Sequence, residues 1–293
     1  MSKPSLSIPA QLERLTDRGM SDSRGVLARA LLTQGYFRLS GYWRYFQTDP
    51  RAGRNAFEHG TDFGDVLDMY LMDADLRNLL LEGLAEVEVA LRTIMATLLC
   101  APGGTGTEYL GQGTYSAVLN DDGVDLRARL LRDIEQDIER SKERHVRHHA
   151  RAGEVPLWVA TEALSFGTLS RMYGLLADET TKAAIAKRFG YTDGLYTSMH
   201  SNLRSVAVFR NVCAHHGRIW NRVLQTDKPR LFAGAFTESG FRRYSDTPWG
   251  VISVLGHFVE SIRQDRSFIE STELLIASDP SYRKGLTDPD RTR

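Results

Sequence analysis

Apolar residues recur at three- and four-residue intervals through most of the chain, and the two-residue alternation of a strand is scarce. Leu27, Ala28, Leu31 and Leu32 follow a polar Ser21-Asp22-Ser23 start and stop at Gly35, which predicts a short capped helix. Phe63, Val66, Leu67, Tyr70, Leu71 and Ala74, then Leu80, Leu84, Val87, Leu91, Met95 and Leu98, keep helical spacing for about ten turns, with room for one break. Leu126, Leu130, Leu131, Ile134 and Ile138 predict another helix, which runs into a basic segment over residues 140–151. After Pro156 a pattern of Leu157, Val159, Ala160, Ala163 and Leu164 breaks at Phe166-Gly167 and resumes at Leu169, Met172, Tyr173 and Leu176. Leu195, Met199, Leu203, Val206, Phe209 and Cys213 form the next helical pattern, and Trp249 to Ile262 one more. The glycine-rich stretch 101–113 and the segment Pro229 to Pro248 read as loops, and Asp279 to Arg293 as a polar tail. The expectation is an all-α chain in three parts: an N-terminal helical extension (1–60), a helical bundle (61–225), and a C-terminal helical region with its tail (226–293).

Composition adjusts this picture little. With 293 residues, 42% apolar and 25% charged, the chain can bury a sizeable core. Equal numbers of basic and acidic residues, 37 each, leave no global pull toward nucleic acid or anionic membrane, so any such attraction is local. Two cysteines and no apolar leader behind Met1 predict reduced thiols and a cytoplasmic setting. The most apolar stretch, Leu76 to Cys100, carries Arg77, Glu82, Glu86, Glu88 and Arg92, too many charges for a membrane span. Lysines number six against 31 arginines. A G+C-rich genome explains that bias most simply, although planar guanidinium forks also grip phosphates bidentately where ammonium cannot.

The window Gly194 to Thr226 is the most informative. It holds no Asp or Glu in 33 residues, yet it contains Arg204, Arg210, Arg218 and Arg222 with His200, His215 and His216. That pattern predicts a local anion site. Arg210 and His215 are separated by four residues, the R-x4–6-H spacing of metal-independent ribonucleases. Five pairs fit the spacing: Arg54/His59, Arg140/His145, Arg144/His149, Arg210/His215 and Arg210/His216. Spacing alone therefore selects nothing. Arg210 stands out because it lies on a strongly periodic apolar helix, whereas the 140–149 pairs lie in a charge run that reads as a solvated face. If the helix continues, Asn211 and His215 fall within about 40° of each other, so the amide can orient the imidazole, and His216 projects to the opposite flank of Arg210. Cys213 then lies about 200° from His215, which rules out a shared tetrahedral zinc site with His216. No phosphate-binding loop, dinucleotide fingerprint, nucleophile elbow or zincin motif is present, so no metal and no cofactor is expected.

The block Phe209 to Arg222, with Arg-Asn-Val-Cys-Ala-His-His-Gly-Arg-Ile-Trp-Asn, resembles the signature of the abortive-infection Abi-like proteins (the AbiD/AbiF group), bacterial phage-defence factors of the HEPN superfamily. Three further blocks agree in order: Tyr36-Phe-Arg-Leu-Ser-Gly-Tyr-Trp-Arg-Tyr-Phe46, Glu86-Val-Glu-Val-Ala-Leu-Arg92, and Pro156-Leu-Trp with Leu164-Ser-Phe-Gly-Thr-Leu-Ser170. The resemblance spans roughly residues 20–225, and nothing in 101–123 or beyond 226 takes part in it. It implies a HEPN-like helical bundle and a ribonuclease site where Arg and His of two domains meet. With one credible motif per chain, that means a homodimer. It also implies a toxin held silent by a partner, a small non-coding RNA or a protein antitoxin.

The chemistry follows from RNA itself. Its 2′-OH is the nucleophile, so a cleaving site needs a proton carrier and a charge to stabilise the phosphorane. An imidazole, with an ordinary pKa near 6.5, suits the first, and a guanidinium the second. The residues in question are Arg210, His215 and the orienting Asn211, and the products would be a 2′,3′-cyclic phosphate and a 5′-OH. Arg204, His216, Arg218 and Arg222 are candidate RNA contacts. Arg38 and Arg44, interleaved with Tyr36, Phe37, Tyr42, Trp43, Tyr45 and Phe46, could hold phosphates beside stacked bases, although such clusters more often form core. Glu88 and Arg92, four apart, fit a plain intrahelical pair, whereas the resemblance implies a carboxylate that steadies the catalytic arginine. Two other classes stay open: a non-catalytic helical module that grips a structured RNA, and a phosphate-transfer enzyme acting on small substrates, for which there is no motif.

Overall fold

In the computed structural model, residues 5–192, 194–230 and 244–290 are described. They form thirteen α-helices, several short 3₁₀ turns and one two-stranded hairpin. The helices are α1 (Ile8–Asp17), α2 (Leu27–Thr33), α3 (Tyr36–Trp43), α4 (Phe63–Leu99), α5 (Leu126–Arg140), α6 (Arg144–Ala152), α7 (Leu157–Ala160), α8 (Phe166–Leu175), α9 (Glu179–Arg188), α10 (Met199–Ala214), α11 (Pro248–Arg263), α12 (Ser267–Ala277) and α13 (Pro280–Thr287). Strands β1 (Gln47–Asp49) and β2 (Arg54–Phe57) pair antiparallel, with Gln47 opposite Phe57 and Asp49 opposite Arg54.

Most helix starts follow from residues that cap them. Asp62, Asp125, Ser165, Asp178, Thr247 and Asp279 each accept a backbone N–H from the first turn of α4, α5, α8, α9, α11 and α13. Pro248 and Pro280 open α11 and α13, where a missing N–H costs nothing. At Asp62 two further donors, Ser23 N–H and the Ser21 hydroxyl, join the capping Gly64 N–H, stabilise the ionised form and hold the carboxyl at about 2.

Helix α4 is unbroken over 37 residues, about 55 Å, and is the axis of the molecule. Its buried positions run from Phe63 through Val66, Leu76, Leu80, Leu84, Val87 and Leu91 to Met95. Helices α3, α9, α10, α11 and α12 pack along it, and α10 also packs on α8 and α11. One close approach is at Gly83, where a Cβ would stand 2.6 Å from the Phe268 ring and 3.1 Å from Val259. The three segments set out from the sequence share one contiguous core, which reaches from Leu15 to Leu286.

Three local readings change. The break for which the α4 pattern left room does not occur. The hairpin over 47–57 was not foreseen, because strands of three and four residues are too short to show alternation. The supposed polar tail contains α13, which buries Tyr282 and Leu286, and α12 before it buries Phe268, Thr272 and Ile276. Of the expected Pro229–Pro248 loop, residues 231–243 lie outside the described residues, as do the last three of the tail.

Candidate active site

Helix α10 turns Leu203, Val206, Phe209 and Cys213 into the core. That orientation sets Arg210 on the flank facing α4. Its Nη2 lies 3.3 Å from Glu88 Oε2, while Glu88 Oε1 accepts from Arg92 Nη2 at 2.5 Å. Arg92 Nη1 in turn donates to the Thr161 carbonyl at 2.6 Å, just past the end of α7. One carboxylate therefore sits between two guanidinium groups. Their side-chain exposures separate their roles: Glu88 is 11% exposed, Arg92 19% and Arg210 38%. Arg92 is occupied within the protein, and Arg210 presents much of its charge to solvent. The Asn211 carbonyl oxygen accepts from Arg210 Nη1 at 3.3 Å.

The helix ends earlier than the periodicity suggested. Ala214 is its last residue, His215 is the C-cap, and His216 adopts φ +54°. Gly217 N–H then closes the turn on the Val212 carbonyl at 2.7 Å. The angular argument that put His216 on the opposite flank of Arg210 assumed a continuing helix, so it no longer distinguishes the histidines. Both rings are exposed. The Asn211 side-chain oxygen is taken by the Arg210 guanidinium, which places this amide beside the arginine. Cys213 is fully buried, its thiol pushed up to about 12 by burial and by the negative charge of Asp73, so it lies apart from the exposed histidines. Among the described residues no three His, Cys, Asp or Glu side chains gather as metal ligands would.

Immediately beyond, the loop is tied down by a residue that sequence reading did not single out. Asp73 of α4, with no exposed surface, accepts five hydrogen bonds. They come from Tyr42 Oη (2.7 Å), Arg77 Nη1 (2.7 Å), Ile219 N–H (2.9 Å), Trp220 N–H (2.9 Å) and Tyr282 Oη (3.0 Å). Burial, reinforced by the Asp73 charge, pushes the Tyr42 and Tyr282 phenols well above their ordinary value. Arg77 also reaches the Gly217 carbonyl at 3.3 Å, and Arg38 of α3 donates to the His216 carbonyl at 2.6 Å. The turn that carries both histidines is thereby fastened to α3 and α4, and the Ile219–Trp220 segment after it is held by the same Asp73 carboxylate that Tyr282 of α13 reaches. A signal was present: Asp73 and Arg77, four apart, fall in phase with the buried stripe of α4.

The remaining candidates disperse. The window without acids is not acid-free in space, because Arg204 pairs with Asp227 just beyond its end and Arg210 with Glu88. Arg218 lies over the Tyr45 ring, 5.1 Å from its centroid, and donates to Tyr45 Oη and the Trp220 carbonyl. Arg222 donates to the Arg218 carbonyl at 3.1 Å, and burial, with the neighbouring Arg218 charge, lowers its pKa. Arg218 and Arg222 line a cavity of about 610 Å³ together with Ser205, Val212 and Asp227. Arg44 is half-buried and makes no ion pair among the described residues. Of the aromatic block, Tyr42 and Trp43 are core, while Phe37 is 91% exposed.

Among the described residues no helix is long and apolar enough to cross a membrane. No curated protein and no solved structure is similar enough to the chain to count as a match. A family model does match: the one described as Abi-like protein covers residues 29–221, which include α3 to α10, the Arg210–Glu88–Arg92 cluster and Asp73. That match extends over well more than half of the sequence, and the chain belongs to the Abi-like protein family.

Proposed function

We propose that the chain is a metal-independent endoribonuclease of the HEPN type, acting in phage defence by abortive infection or as the toxin of a toxin-antitoxin pair. One observation carries the reading: Arg210 is held by a nearly buried carboxylate yet half-open to solvent, one turn before an exposed histidine at the end of the same helix. A cation fixed at its root and free at its tip is suited to meet developing charge on an external phosphate.

The 2′-OH attacks phosphorus, giving its proton to an imidazole, and the P–O5′ bond breaks as the leaving oxygen takes a proton. This yields a 2′,3′-cyclic phosphate and a 5′-OH. His215 is assigned the proton transfer, Arg210 the phosphoryl charge, and Asn211 the orientation of Arg210. A single imidazole cannot be base and acid in one concerted step, so a second copy of the chain supplies the other. Glu88 and Arg92 position Arg210, and Arg38 and Asp73 position the histidine turn. The membership in the Abi-like family supports the biological setting, and a small RNA or protein antitoxin would be the silencing partner.

The test is incubation of the purified chain with unstructured RNA in excess chelator, with analysis of the termini and of the oligomeric state. Cyclic-phosphate ends that disappear in Arg210→Ala and His215→Ala are the expected result. Comparing His215→Ala with His216→Ala decides which of the two exposed imidazoles moves the proton. Intact RNA that binds with a steep salt dependence would replace this reading with a non-catalytic RNA-binding module.

A further inference from the structure

We propose that α6 is a docking track for single-stranded RNA, which it passes across α7 toward Arg210 and His215. The proposal rests on the nuclease reading for its destination only. Helix α6, Arg-His-Val-Arg-His-His-Ala-Arg-Ala, contains three arginines, three histidines and no acid. At 100° per residue Arg144, Arg147 and Arg151 fall within about 60° of one another, with His148 beside them, over about 10 Å of helix. Arg144, Arg147, His148 and Arg151 are all exposed. Val146, on the opposite side, is fully buried and anchors the helix.

What marks this stripe is that three exposed arginines share one face of a helix without acids, and none of them has a carboxylate partner among the described residues. Several other arginines meet acids, as in Arg24–Asp68, Arg92–Glu88, Arg171–Asp133 and Arg263–Glu86, and of those that do not, Arg218 and Arg222 are taken up by backbone carbonyls. No α6 arginine has a carboxylate oxygen within 4 Å among the described residues. Glu143 and Glu154 only bracket the helix ends. On the adjoining α5, Asp133 and Asp137 are turned to α8, where they take Arg171, Ser165 and Thr168. Three like charges on one stripe repel each other, and a polyanion relieves that repulsion.

Two features favour RNA over an anionic membrane as the occupant. The single apolar residue of α6 is already buried, so the helix has no greasy face to insert. The helix packs on α7, whose Trp158 lies against Gly106 and still exposes half of its ring system, a stacking platform for a base. Helix α7 packs on α4 and ends beside Thr161, whose carbonyl holds Arg92. Track and candidate active site are thus joined through one short helix.

The experiment compares the wild-type chain with the triple variant Arg144→Gln, Arg147→Gln, Arg151→Gln, all three surface positions. The probes are a fluorescent oligouridylate of about twenty nucleotides and a dinucleotide too short to span both places. Loss of three phosphate contacts should reduce the slope of log affinity against log salt by about 2, which is about 10²-fold weaker binding at 0.1 M salt when the two proteins are matched at 1 M. Dinucleotide cleavage should be unchanged. Trp158→Ala should weaken oligouridylate binding without altering the slope. Wild-type affinity and slope in the triple variant would overturn the track while leaving the nuclease intact. So would stripe-dependent binding to phosphatidylserine vesicles with no change in RNA affinity. RNA bound through the stripe but never cut would support the track and sink the nuclease reading, and a wild type that binds no RNA overturns both.

Discussion

Asp73→Asn removes the charge at the point where the α10 loop is fastened, with almost no change in shape. An asparagine keeps one acceptor oxygen and turns an amide NH₂ toward donors. Five donors converge on the native carboxylate, and Arg77, only 4% exposed, would lose its counter-charge. Breaking a buried pair from one side costs about 3–5 kcal/mol, and each stranded buried donor about 1–3 kcal/mol. These penalties overlap, so we expect a loss of about 4 kcal/mol, against a total stability of about 5–15 kcal/mol. With a urea slope of about 3 kcal/mol/M the unfolding midpoint should fall by about 1.3 M. The control lies on the same helix. Asp68 pairs with Arg24 at 2.7 Å, but both side chains are nearly half exposed, so Asp68→Asn should cost under about 1 kcal/mol, or about 0.3 M. Urea unfolding followed by circular dichroism measures both. If the two variants unfold within about 0.3 M of each other, the argument from burial and converging donors is wrong.

Two further outcomes are expected. Glu88→Gln should leave RNA affinity nearly unchanged while the single-turnover cleavage rate drops on the order of 10²-fold, because Arg210 loses the carboxylate that aims it while Arg92 keeps the Thr161 carbonyl; a rate within about threefold of wild type would remove Glu88 from the site. Burial beside Tyr191 and Phe258 holds the His257 imidazole below its ordinary value near 6.5, partly offset by Glu260 and a hydrogen bond with the Phe189 backbone. As pH falls the unfolded chain therefore takes up this proton first, so the contribution is complete above about 6.5 and is lost as pH drops through the folded value. Urea midpoints at neutral and mildly acidic pH should converge more in His257→Gln than in wild type, and identical pH dependence would contradict the assignment.

Much of the helical frame was legible because its signals are local. Three-four spacing marked α4, α5, α10 and α11, and the polar Ser21-Asp22-Ser23 run marked the start of α2, where Asp22 accepts from the Val26 and Leu27 N–H groups. The end of α10 was not legible, because the turn at His215–Gly217 is set by bonds from Arg38 and Arg77, which lie far away in the sequence. Helix α13 was hidden for a related reason: its two anchors, Tyr282 and Leu286, make sense only against Asp73 and the core they reach. Arg218 and Arg222 looked like free cations because their partners, the Tyr45 ring and the Arg218 carbonyl, carry no charge pattern that a sequence displays. Glu88 was legible as a pair with Arg92, whereas its reach to Arg210 needed two helices side by side.

The bond between Tyr282 and Asp73 spans 209 residues and also sets a clock. During synthesis α4 and α10 leave the ribosome well before α13, so for that interval Asp73, which holds the Ile219–Trp220 segment, lacks one of its five donors. The anchor at Asp73 is thus closed by the last of the thirteen described helices, and a chain cut short before α13 would leave that carboxylate one donor poorer.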